Sequence, residues 1–237
     1  MVPLQNILFL DIETVSQYAS YDGMPDEWKE LWSKKAEVLL RNKENHTTES
    51  VYERAGIYAE FGKVICISCG IVQVNGNRKK LLLKSFSGDD EKGMLSSFCD
   101  MISKWAAEGN KYLCAHNGKE FDFPYLCRRM VINDVCVPAV LAISGKKPWE
   151  VNHLDTMELW KFGDFKNYTS LNLLACALGI PTPKDDIDGS MVGGIYWNSH
   201  DLPRIVHYCQ KDVITVAQVY LRLNREPLIP VDNIEIK

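Results

Sequence analysis

Asp11 and Glu13 end an otherwise apolar run, Ile7-Leu-Phe-Leu-Asp-Ile-Glu-Thr14. Side chains alternate between the faces of a strand, so these two acids share one face and Ile12 takes the other. Carboxylates at the edge of a buried strand are costly without a positive partner, and a divalent cation with oxygen ligands suits an adjacent pair. Acid pairs also end strands in plain solvent, so the pair alone leaves both accounts open. Near the other end of the chain, Ile205, Cys209, Val213, Val216, Ala217 and Tyr220 recur at the spacing of a buried helical stripe, and Asp212 falls inside it. Tyr208 lies one turn earlier on the same face. An acid on such a stripe needs a partner, and a salt bridge or a metal would serve equally. Asp122 closes His116-Asn-Gly-Lys-Glu-Phe-Asp122, where a strand gives way to a turn and a helix. It could be a helix cap or a fourth ligand.

These acids require a strand, a strand-to-helix junction and a long helix to meet. Lys63–Val74 reads as an apolar strand, Asn75-Gly76 as a hairpin turn, and Lys80–Phe86 as the returning strand. Helices are expected over Asp89–Ala107, Phe123–Val131, Thr169–Leu178 and Leu202–Leu223, the last capped by Asp201 with Pro203 in its first turn. Lys111–Ala115 and His153–Thr156 are expected short strands. Between the first two strands, Ser16–Glu60 is a polar stretch with an amphipathic helix over Asp26–Asn42, and it reads as an insertion. Trp28 and Trp32 there could stack bases, but packing against the body is the favoured account. The glycine-rich Asp188–Tyr196 lacks a following Gly-Lys-Ser/Thr, so it is a loop and not a nucleotide-binding P-loop. A hairpin followed by strand-helix alternation implies one α/β domain over residues 1–237, a mixed sheet with helices on its faces.

The 237 residues carry a net charge of −4, which excludes a polyanion binder held by overall charge. No apolar run has the length of a membrane span and no leader pattern opens the chain, so a cytoplasmic, monomeric protein is expected. Eight cysteines in mostly apolar surroundings read as reduced thiols. Cys66 and Cys69 face opposite ways on a strand, which argues against a zinc or redox pair.

Asp11-Ile-Glu13-Thr, Asn117 with Phe121-Asp122, and Tyr208-Cys-Gln-Lys-Asp212 resemble the three ordered motifs of the DEDD 3′–5′ exonucleases. More narrowly, the chain is similar to the stand-alone predicted exonucleases related to the proofreading domain of B-family DNA polymerases. His153-Leu-Asp155-Thr and Ser170-Leu-Asn172 resemble that group too. The resemblance implies a ribonuclease H-like fold and two-metal-ion hydrolysis that releases nucleoside 5′-monophosphates from free 3′ ends, most simply of single-stranded DNA. It implies two divalent ions, Mg²⁺ with Mn²⁺ as substitute, with Asp11 bridging both, Glu13 and Asp212 completing the water-activating site, and Asp122 supporting the other. Thr14, Asn117, Lys119, Phe121 and Phe123 are the expected substrate contacts, with core packing an equal account of Phe123. Tyr125 is a further stacking residue, and Arg128, Arg129, Lys146, Lys147 and Lys211 are outer phosphate contacts. A non-catalytic nucleic-acid-binding or partner-docking module, or an exoribonuclease, is the alternative. A separate polymerase is a conceivable partner, but polymerase activity itself is not expected from one domain's length.

Two residues compete to assist the attacking water. The Tyr branch of the family places Tyr four residues before the last acid, as at Tyr208, and the His branch places His five before it, as at His207. Four helical residues advance about 400°, leaving Tyr208 and Asp212 about 40° apart, whereas His207 stands about 140° away. Tyr208 is the expected catalytic residue.

Overall fold

The computed structural model describes residues 2–41, 46–76, 78–164, 168–181 and 187–237. Its centre is β1 (Ile7–Ser16), which is apolar on both faces because both are covered. Ile7 and Phe9 face a helix, α7 (Leu202–Leu223), and pack with its Val213, Val216, Ala217 and Tyr220. Leu8, Leu10 and Ile12 face the opposite way, onto α2 (Glu91–Ala106) and α3 (Asp122–Ile132), where Leu95, Phe98, Phe123 and Leu126 meet them. Each such fully buried side chain contributes about 1.5–3 kcal/mol of transfer free energy. The alternation therefore fixes which face carries Asp11 and Glu13: the one that faces α7.

Beside β1 runs β2 (Gly62–Asn75), antiparallel, followed by the hairpin return β3 (Arg78–Ser87). On the other side lie β4 (Tyr112–Ala115) and β5 (Leu154–Asp155), both parallel to their neighbours. A C-terminal strand, β6 (Ile234–Ile236), adds to β3 in parallel and completes the order β5-β4-β1-β2-β3-β6. This mixed sheet with helices on both faces is the ribonuclease H-like arrangement expected. Between Glu13 and Thr14 the register with β2 shifts, since Glu13 pairs with Cys66 and Thr14 with Val64. Such a bulge bends the strand and re-aims the side chains beside it.

Helix α7 starts where its sequence says: the Asp201 carboxylate accepts the Arg204 N–H, and Pro203 occupies the first turn. α1 (Asp26–Leu40) lies in the segment after β1; the expected end at Asn42 falls outside the described residues. Trp32 is fully buried among Tyr52, Tyr58 and Phe61 and donates its indole N–H to the Thr48 carbonyl. Trp28 stands edge-on to Phe61. Packing is thus what these tryptophans do. The segment is tied to the sheet's helices where it ends: the Tyr125 hydroxyl donates to the Gly56 carbonyl at 2.7 Å, and Arg129 Nη1 donates to Ala59 at 2.8 Å.

Besides β6, a short helix after β5 and the turns of the glycine-rich stretch were not legible beforehand. α4 (Thr156–Lys161) follows β5 directly and precedes α5 (Leu171–Ala177). The glycine-rich stretch expected as a loop forms a helical turn, α6 (Val192–Gly194), that widens into an i→i+5 turn over Ile195–Ser199. Val192, Ile195 and Tyr196 anchor it against Val15, Ile65 and Ile205.

Candidate active site

Three motif acids arrive from two sides of the sheet, and the fourth from the helix above it. Asp11 and Glu13 project from β1 beneath α7, which brings Asp212 and Tyr208 over them. Asp122, first residue of α3, reaches back toward β1 and accepts the Ile12 backbone N–H. All four carboxylates feel one another. Burial pushes Asp11 well above the usual carboxylate range, and the charges of Asp212, Glu13 and Asp122 push it further. Glu13 is raised by burial first and by Asp212 next. Burial raises Asp122 to about 7 despite hydrogen bonds from its own N–H and that of Ile12. Among the described residues, the ion pairs do not include Asp11, Glu13 or Asp122.

The Tyr208 hydroxyl is hydrogen-bonded to Asp212 and lies within the field of Glu13 and Asp11. Burial and those charges raise its pKa far above that of a free phenol, so it stays protonated and acts as a donor. His207, on the other side of the helix, is exposed.

Cys209, which the sequence offered only as part of the buried stripe, belongs to the floor of the site. Its thiol donates to the Asp11 backbone carbonyl and to Asp11 Oδ2, both at 3.4 Å. One ligand atom each from Asp11, Glu13 and Cys209 lie within 4.8 Å of one another. This donor set fits a divalent cation: hard carboxylate oxygens dominate, and they are held close in a place where their own charges are uncompensated by described cations.

Asn117 sits on the turn between β4 and α3 with φ 61°, and its Oδ1 is buried with no hydrogen-bond partner. Gly118 next to it has no room for a side chain, since a Cβ would come within 2.4 Å of Ala115 Cβ. Phe121 is half-buried against the Tyr125 ring. Thr14 is half-buried and hydrogen-bonded to the Tyr125 hydroxyl.

Several expected substrate contacts have other engagements. Phe123 is 0 % exposed and packs edge-on to His153 in the core, and Tyr125 is 1 % exposed, so neither ring has a face open to a base. They are apolar positions on the inner face of a helix whose first residue happens to be functional. Lys119 is paired with Glu158 at 2.8 Å. Arg129 is buried and bound to Glu91, which removes it from any phosphate. Arg128, Lys146 and Lys147 are exposed.

A family model for predicted 3′–5′ exonucleases related to the exonuclease domain of PolB matches residues 57–226, more than half of the chain. That span contains Asn117, Asp122, Tyr208 and Asp212 and begins after β1, whose two acids the fold itself brings to the others. No curated protein matches the chain.

Proposed function

The chain belongs to the family of predicted 3′–5′ exonucleases related to the exonuclease domain of PolB, and from that membership we propose that it hydrolyses phosphodiesters at the 3′ ends of single-stranded nucleic acid, DNA foremost. The observation that carries this reading is the convergence of four acids, in which Asp11, Glu13 and Asp122 are raised by burial and by the charge of Asp212 among others. These four would hold two divalent ions, Mg²⁺ or Mn²⁺. When bound, such ions supply the positive charge that stabilises the reacting phosphate and lowers the pKa of the attacking water.

The chain's own residues do the rest. Tyr208 donates a hydrogen bond to Asp212 and keeps lone pairs free to accept from a water, which orients that water without deprotonating it. Water oxygen adds to the terminal phosphorus as the bond to the 3′ oxygen breaks, the water giving up a proton to solvent and the departing 3′ oxygen taking one up from it. A nucleoside 5′-monophosphate leaves and a new 3′-hydroxyl is exposed. The orphaned Asn117 Oδ1 is an acceptor in search of a donor, and a terminal nucleotide's hydroxyl is one. Thr14 and Phe121 flank the same end of β1 and α3. The whole chain acts as one exonuclease domain, with residues 16–60 as an insertion.

A ladder assay on 5′-labelled single strands with Mg²⁺ or Mn²⁺ tests this. Stepwise shortening by the wild type, absent in Asp11→Ala and Asp212→Ala, is expected. No shortening by any of the three would refute it, and matched DNA and RNA oligomers in the same assay identify the preferred sugar.

A further inference from the structure

Asp155 holds no place in the proposed chemistry, yet it is 2 % exposed and its carboxylate is saturated by four backbone N–H groups. Two belong to α4: Met157 and Glu158 donate to Oδ1 at 2.9 and 3.3 Å, the ordinary work of a helix cap. The other two come from across the sheet edge. Asn117 donates to Oδ1 at 3.0 Å and Lys119 to Oδ2 at 3.1 Å, thirty-eight and thirty-six residues away in sequence. A cap needs only the first pair. The second pair grips the turn at Asn117 and Lys119, where Asn117 takes a left-handed conformation that Asn tolerates better than most side chains. A second tie runs alongside. His116 Nε2 meets the Thr169 carbonyl at 2.8 Å, so Nε2 carries the proton and Nδ1 accepts from the Thr156 hydroxyl at 2.9 Å.

We infer that Asp155 is a positioning residue acting through Asn117: its carboxylate holds the turn so that the unpartnered Asn117 side chain is preset for the terminal nucleotide. This rests on the nuclease reading above. Charge-assisted bonds from a carboxylate to backbone amides are the stronger class of hydrogen bond. Two of them on alternate residues of one turn leave it little freedom. Without them the turn would be free to shift, and the Asn117 amide would move with it.

The experiment separates the cap from the grip. Asp155→Ser keeps a good helix cap for α4 but is too short to reach Asn117 and Lys119. It is assayed beside Asn117→Ala and the double variant on a single-stranded oligomer, with circular dichroism to establish folding. Asp155→Ser is expected to lose roughly tenfold to a hundredfold in kcat/KM. In the Asn117→Ala background the same change is expected to lose less than about twofold more, because the two act as one unit. If Asp155→Ser works like the wild type, Asp155 only caps α4 and the inference fails. It fails equally if the two losses multiply. Should Asp155→Ser not fold, Asp155→Asn goes through the same cycle. It keeps the cap and the acceptor for Asn117 but turns an amide toward the Lys119 N–H. A smaller loss that vanishes in the Asn117→Ala background is expected, and one that multiplies overturns the inference. A wild type inactive with both metals overturns the nuclease reading and this inference together, whereas multiplying losses in an active enzyme overturn this inference alone.

Discussion

Two groups of buried carboxylates stand on the two faces of one sheet, and they are built to opposite ends. Glu91, at the start of α2, is matched oxygen by oxygen. Its Oε1 accepts the Val64 N–H at 2.7 Å and Arg129 Nε at 2.9 Å, and its Oε2 accepts Arg129 Nη2 and Asn133 Nδ2. Arg129 in turn spends Nη1 on the Ala59 carbonyl. This joins α2, α3 and β2 to the end of the segment after β1. Glu13 is as deeply enclosed and Asp11 beside it is half-buried, yet what surrounds them is other acids and the Cys66 and Cys209 thiols. Burial of an acid therefore says little about purpose. A buried carboxylate whose lone pairs are all met is part of the architecture. A buried group of acids that repel one another costs stability and is kept for something that binds there.

The widest gap between the two regions should appear when one charge is removed from each. Asp11→Asn is expected to cut exonuclease activity by about a thousandfold or more, since several kcal/mol of transition-state stabilisation go with the ions. In chelator the same variant should melt higher than the wild type, because one repelling charge is gone. A lower melting temperature would break the contrast. Arg129→Met is the mirror case, expected to lose about 3–5 kcal/mol of stability by leaving Glu91 charged and unpaired. Denaturant unfolding measures it, and Arg129→Met combined with Glu91→Leu should recover part of the loss.

Next in size is the pH dependence of the metal-free protein. Asp122 titrates at about 7 when folded against 3.8 for the free side chain, and Asp11 and Glu13 are raised in the same direction. Between those values the folded state holds protons that the unfolded chain has released, so stability falls as pH climbs through the window. The chelated protein should melt lower at about pH 8 than at about pH 5.5, and Mg²⁺ should raise the melting temperature more at the higher pH. The smallest expected effect concerns Tyr208. Tyr208→Phe should cost roughly tenfold to a hundredfold in kcat at saturating metal, and His207→Ala little. A crippled His207→Ala, with a wild-type limb near pH 6.5 that this variant lacks, would reverse the assignment.

What was legible from the residues is what their own periodicity and caps encode. α7 spans Leu202–Leu223 as read, because Asp201, Pro203 and an unbroken apolar stripe define it. β1 and the β2–β3 hairpin were equally plain. β6 was not: three residues pairing in parallel at an edge carry no alternation long enough to detect. The turns over Val192–Ser199 were hidden by Gly193 and Gly194, whose low helix propensity is overridden by the packing of Ile195 and Tyr196. At the site, the motif acids could be named because carboxylates on apolar stripes are conspicuous. Tyr125, and Phe123 in one of its two readings, were placed against the substrate by nearness in sequence to Asp122, while the helix turns both inward. Asp155 was noticed only as part of a family-like segment, and its hold on the Asn117 turn was hidden because its partners are backbone N–H groups, which no residue letter displays.

The fastening of Tyr125 to Gly56 and of Arg129 to Ala59 also draws a line through the segment after β1. Before that line, Met24, Trp32, Ala36, Val51 and Tyr52 form a small core of their own, which Tyr58 and Phe61 close from beyond it. After it, the backbone is held by the helix that begins with Asp122. The family likeness starts at Ile57, one residue past Gly56. Asp11 and Glu13 lie before that start, so the two acids of β1 and the matched span meet only through the folded sheet.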